Sequence, residues 1–160
     1  MCGRYASSRR PEDLIEEFEI VHDRTEQVLE PDFNVAPTKE VYAVVERPPS
    51  RGSEEPPARQ LRVLRWGLVP SWAKDPSIGN RMINARMETV AEKPAYKRAF
   101  AKRRCLLPAD GYYEWQKDGD RKQPWYLTSR DRSPLAMAGL YEVWKAPDGA
   151  KLWTCTVITT

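Results

Sequence analysis

Two turn signals constrain what this chain can fold into. Asp118-Gly119 separates residues 112–117 from 123–128, and Pro147-Asp148-Gly149 separates 135–144 from 151–158. Each places two strand-forming runs next to each other through a tight reversal, the requirement for antiparallel hairpins. Residues 40–46 and 59–66 also read as strands. The polar Pro/Ser/Gly segment 47–57 between them reads as an exposed, flexible loop of a long hairpin. Fourteen prolines punctuate the chain, as loops and edge strands do. One helix is expected to start near Pro11, with Glu12 and Asp13 at its positive end and Leu14, Ile15 and Phe18 on one face. A basic helix is expected over 93–103, with Tyr96 and Phe100 as its buried pair. The expected fold class is therefore α+β: a mostly antiparallel, barrel-like β-sheet with a few short helices, forming one domain over residues 1–160. Residues 152–160 read as the middle of a core strand, so a further C-terminal segment is expected to follow in a complete protein.

The composition excludes several classes. At 41% hydrophobic and 31% charged residues, the chain is ordinary globular material. A net charge of +3 requires any nucleic-acid site to arise from local clustering of Lys and Arg. Cys2, Cys105 and Cys155 are odd in number and far apart, which argues against a disulfide framework and fits a reducing compartment. With His22 the only histidine, no metal site and no cofactor are expected. No run approaches the ~20 apolar residues of a membrane span, and no signal peptide is visible. The expected location is cytoplasmic and nucleoid-associated, and the expected state is a monomer.

Cys2 carries the first chemical signal. Removal of Met1 would leave it with a free α-amine beside its thiol. The amine can condense with an aldehyde to an imine, and the thiol can close on that imine to form a thiazolidine ring. The plain alternative is that Cys2 is only the second codon. Gly3 beside it permits close backbone approach, and Arg4 offers a partner for phosphate or carboxylate. The stretch from Trp66 through Gly67 and Pro70 to Trp72 reads either as a core turn or as an aromatic wedge against nucleobases. Asn84 and Arg86 offer an amide and a guanidinium pointing one way, unless the segment through Thr89 is simply a helix cap. Strand alternation puts Tyr112 and Glu114 on one face and Tyr113 and Trp115 on the other. Glu114 is thereby either a general acid or base or an edge-strand carboxylate in water. Lys97, Arg98, Lys102, Arg103 and Arg104 would track phosphates or form a solvated helix face.

Taken in order, Met1-Cys2-Gly3-Arg4, Phe33-Asn34-Val35-Ala36-Pro37, the Trp66–Trp72 stretch, Asn84-Ala85-Arg86-Met87-Glu88-Thr89, Arg104-Cys105-Leu106 and Gly111-Tyr112-Tyr113-Glu114-Trp115 resemble the SOS response-associated peptidase (SRAP) family. The resemblance spans essentially the whole chain. It implies an abasic-site sensor in single-stranded DNA that forms a covalent thiazolidine cross-link through Cys2 after self-processing removes Met1. It implies catalytic roles for Cys2, Asn84 and Glu114, and DNA contacts from Arg4, Trp66, Gly67, Pro70, Trp72 and Arg86. The family's catalytic histidine, in a His-x-Arg-Met-Pro type motif after the last strand, is absent from these 160 residues. The rival readings are a cysteine peptidase acting on other proteins, a lyase working through an imine, and a non-covalent single-strand binding module.

Overall fold

Residues 40–47 show why this chain closes on itself. Val41, Ala43 and Val45 alternate with Tyr42 and Val44, and all five are buried. Both faces of this strand must therefore be covered. In the computed structural model, which describes residues 2–160, the elements follow as β1 (Tyr5–Ser7), α1 (Pro11–Glu17), β2 (His22–Asp23), β3 (Asp32–Val35), β4 (Glu40–Arg47), β5 (Ala58–Trp66), β6 (Asn84–Arg86), α2 (Lys97–Lys102), β7 (Arg104–Ala109), β8 (Gly111–Asp118), β9 (Arg121–Leu127), β10 (Leu135–Lys145) and β11 (Lys151–Thr159).

The main sheet runs β2-β5-β4-β7-β10-β11-β6, and β11 pairs back onto β5. Five strands, β5-β4-β7-β10-β11, thus form a closed barrel. Four of its seams are antiparallel. The closing seam is parallel, with Thr154 opposite Arg65 and Cys155 opposite Trp66. Closure removes the open edges that a five-stranded sheet would otherwise expose. The inward faces of β4 and β5 meet Tyr141, Cys155 and Val157 in one core cluster. The outward Tyr42 and Val44 pack under Leu14 of α1 and Phe18 just after it, with Ile15 partly buried beside them. Proline stands at the first turn of α1, and the Asp13 carboxylate accepts from the Arg10 amide at its start.

The second sheet is antiparallel, in the order β3-β1-β8-β9. It joins the barrel through Tyr5, which is 1% exposed and packs its ring 5.2 Å from that of Trp66. Such a pair contributes about 0.5–1.5 kcal/mol beyond its buried area. It anchors the N-terminal segment in the barrel core three residues from Cys2.

Several sequence expectations shift in detail. Asp118 pairs with Arg121, so the two turn residues are Gly119 and Asp120, one position later than expected. Only Gly119 has positive φ, at 59°, as a two-residue type II′ turn requires. Arg47 pairs with Ala58 and belongs to the hairpin ladder, leaving residues 48–57 as the connection. The basic helix is confined to Lys97–Lys102, with Tyr96 at its N-cap. The stretch after β5 is less irregular than its sequence suggests. It holds a 3-10 turn at Pro76–Arg81 and the short strand β6, which adds parallel to β11.

Candidate active site

Cys2 lies at one end of the barrel, where β8, the start of β10 and the end of β11 converge. A cleft of about 290 Å³ is lined by Cys2, by Tyr112 and Glu114 of β8, by Met137 and Ala138 of β10, and by the run from Val157 to Thr160. Tyr112 and Glu114 share this wall. Tyr113 and Trp115 face the other way, where the Tyr113 ring packs 4.9 Å from Tyr126. Strand alternation thus separates the two pairs.

Asn84 holds Cys2 with both ends of its amide. Its Oδ1 accepts from the main-chain nitrogen of Cys2 at 3.2 Å, and its Nδ2 donates to the Cys2 carbonyl at 2.9 Å. In a chain that has lost Met1, that nitrogen is the α-amine. Asn84 can adopt this position because β6 is pinned to the end of β11, with Asn84 opposite Val157 and Arg86 opposite Thr159. The Tyr96 hydroxyl adds a bond to the Asn84 carbonyl at 3.1 Å. Sequence reasoning placed Tyr96 only as a packing residue. A tyrosine in place of a phenylalanine at a buried helix position was the available signal, since a buried hydroxyl requires a partner.

The Cys2 side chain is only 5% exposed. Burial, followed by the negative charge of Glu114, pushes its thiol up to about 11. The thiol is therefore protonated at neutral pH, whereas a free α-amine ordinarily titrates at about 7.7–8.0. Glu114 lines the same cleft. The Arg4 carbonyl accepts from the Tyr113 amide at 3.0 Å, tying the N-terminal segment to β8. Arg4 itself is half-buried.

The remaining expected site residues separate. Arg86 is well exposed and makes one loose ion pair with Glu88 at 3.8 Å. Two positions after Asn84 on β6, it shares Asn84's side of the strand. Trp66 is a correction. Its side chain is fully buried and its indole N–H donates to the Ile83 carbonyl at 2.9 Å, so no base can stack on it. Gly67 and Pro70 are also buried. Gly67 has φ +132° and its backbone passes so close to Gly79 that a Cβ would stand 2.5 Å from the Gly79 oxygen. These three residues build the core turn rather than a DNA surface. Only Trp72 is presented to solvent, 58% exposed. No residue of 66–72 lines the Cys2 cleft. Thr89 does not cap α2. Its carbonyl accepts from Glu92 and Lys93 within the preceding turns.

The profile of the family described as SOS response associated peptidase (SRAP) matches residues 1–160. The chain is 42% identical over its full length to the abasic site processing protein YoqW of Bacillus subtilis, covering 68% of that protein. It is 30% identical to the abasic site processing protein HMCES of Xenopus tropicalis, covering 99% of this chain and 57% of the relative. Among solved structures, a Bacteroides thetaiotaomicron protein superimposes with a TM-score of 0.82 at 24% identity, covering 98% of this chain and 67% of that one. A phage-related protein of Bordetella bronchiseptica superimposes at 0.69 with 29% identity, covering 99% and 69%. The chain thus spans about two thirds or less of the length of these proteins, and over that span it belongs to the SOS response associated peptidase family.

Proposed function

We propose that this chain processes abasic sites in DNA by forming a covalent adduct at Cys2 once Met1 has been removed. The supporting observation is the clamp of Asn84 on the Cys2 main chain, at the wall of a cleft that Glu114 also lines. The names of its relatives, abasic site processing proteins of Bacillus subtilis and Xenopus tropicalis, agree with this reading.

The order of steps follows from the two nucleophiles. The ring-opened abasic sugar presents an aldehyde. The Cys2 amine adds to its carbon, and a proton from Glu114 assists departure of the oxygen as water, leaving an imine. The thiol sulfur then bonds to the imine carbon while its proton passes to the imine nitrogen, with the Glu114 carboxylate as relay. The product is a thiazolidine, and the net change is the loss of one water. Asn84 orients the amine and the sugar. Arg4 and Arg86 supply cations for the flanking phosphates, and Trp72 offers a stacking surface on single-stranded DNA. A peptidase acting on other proteins would need a thiolate nucleophile, which a thiol raised to about 11 supplies poorly at neutral pH.

Intact mass after mixing with a single-stranded oligonucleotide carrying one abasic site tests the reading. The expected product is the Met-less chain plus the DNA minus one water, absent with Cys2→Ala. An undiminished adduct in Cys2→Ala overturns it. Salt-sensitive binding that ignores the lesion and survives this substitution would favour a non-covalent binding module instead.

A further inference from the structure

At the opposite end of the barrel, several cations gather around one indole. Trp153 lies near the start of β11, and the guanidinium carbons of Arg62 and Arg47 stand 4.0 and 5.0 Å from its ring centroid. Tyr141 stacks on the same indole, with centroids 5.8 Å apart, and its hydroxyl accepts from Arg47 at 3.4 Å. Two clefts, of about 390 and 360 Å³, share Lys151 and Trp153 as a common wall. Arg24 and Arg65 add to the first and Arg98 to the second.

Cations outnumber the acidic groups at both clefts. Glu142 is bound to Arg103 at 2.7 Å. Glu26 and Glu40 line the first cleft, where Glu26 offsets part of the charge around Arg62. Among the described residues, no carboxylate comes within ion-pair distance of Arg24, Arg47, Arg62 or Lys151. Burial, then the charges of Arg47 and Arg24, push the Arg62 guanidinium below its ordinary range. Like charges brought together and partly removed from water are costly. The aromatic faces offset only part of that cost. An oxyanion would offset the rest, and the planar fork of arginine matches phosphate geometry.

We propose that the two clefts that meet at Lys151 and Trp153, with Arg62 in one and Arg47 in the other, form a second anion site, which takes a phosphate group of a nucleotide, either free or within the backbone of a strand. The site is separate from the Cys2 cleft. The two lie at opposite ends of the β10–β11 ladder, with Trp153 four residues before Val157, or roughly 13 Å along the strand. It does not depend on the chemistry proposed at Cys2.

Calorimetric titration of the whole chain with inorganic pyrophosphate, and separately with a short undamaged oligothymidylate across a range of salt, tests the site. Pyrophosphate is expected to bind one to one. The double variant Arg47→Gln/Arg62→Gln should weaken it about tenfold or more, as loss of charge-assisted bonds implies, and Lys151→Gln should weaken it severalfold. A salt slope for the oligonucleotide that falls by about 0.7 per lost contact identifies strand backbone as the source. An unchanged slope with weakened pyrophosphate binding identifies a free phosphate compound. Circular dichroism checks folding. If the double variant melts early, Lys151→Gln decides alone, because that side chain is exposed. Absent pyrophosphate binding, or binding equal in wild type and Lys151→Gln, overturns the proposal.

Discussion

Cys2 meets the cleft with its thiol covered and its main-chain nitrogen held by Asn84, so the chemistry at this residue depends on which group loses its proton first. Glu114→Gln keeps the shape and removes the proposed proton relay. It is expected to slow adduct formation about 10²-fold or more, the usual range of general acid–base assistance, while non-covalent DNA binding measured by anisotropy stays unchanged. Loss of both together would point to misfolding instead. The raised thiol also links folding to pH. The unfolded thiol ionises near the ordinary value of 9.0 and the folded one near about 11. Its contribution to stability is therefore complete below pH 9 and is lost as pH rises through 11. Denaturant midpoints are expected to fall across this window, and Cys2→Ala should flatten the fall. Part of the slope should remain, because burial also raises Cys105, to about 12, and Cys155.

At the scale of elements, the turn after β5 decides whether the segment carrying Asn84 reaches Cys2. Gly67 and Gly79 pass backbone to backbone, and each Cβ would fall within 2.6 Å of the other's carbonyl oxygen. Gly67→Ala adds a positive-φ penalty to that clash. A destabilisation of about 2–4 kcal/mol is expected, seen as a drop of several degrees in thermal midpoint. Because the 3-10 turn leads directly into β6, hydrogen exchange at Asn84–Arg86 should quicken in the same variant. Unchanged melting would mean that this approach relaxes at little cost.

For the molecule as a whole, closure of the barrel depends on a short parallel seam between β5 and β11. Thr154 sits in that seam, fully buried, and its hydroxyl oxygen accepts from the Val69 amide at 2.9 Å. Thr154→Val preserves the volume but leaves that N–H without its acceptor. A loss of about 1–3 kcal/mol is expected from chemical denaturation, with the fold retained by circular dichroism. A neutral result would show that the Thr154 side-chain bond adds nothing to a closure already held by the main-chain ladder.

The hairpins, the first helix and the order of the chemical motifs were legible along the chain because each is a local matter. Turn residues fix adjacent strands, a proline and two acids mark a helix start, and period-two alternation sorted Tyr112 and Glu114 from Tyr113 and Trp115. Trp66 shows where local reading ends. A tryptophan in a Pro- and Gly-rich stretch looks the same whether it faces DNA or the core, and only the position of Tyr5 beside it decided for the core. β6 is three residues long and exists because β11 offers it a partner 73 residues later, so no periodicity could announce it. The sequence alone determined the family and that the strands pair mainly in antiparallel fashion, since motif order and short turns are written along the chain. The tertiary structure alone decided the parallel closure, the grip of Asn84 on Cys2, and the gathering of Arg47 and Arg62 on Trp153, because each joins residues whose separation along the chain says nothing about their distance in space.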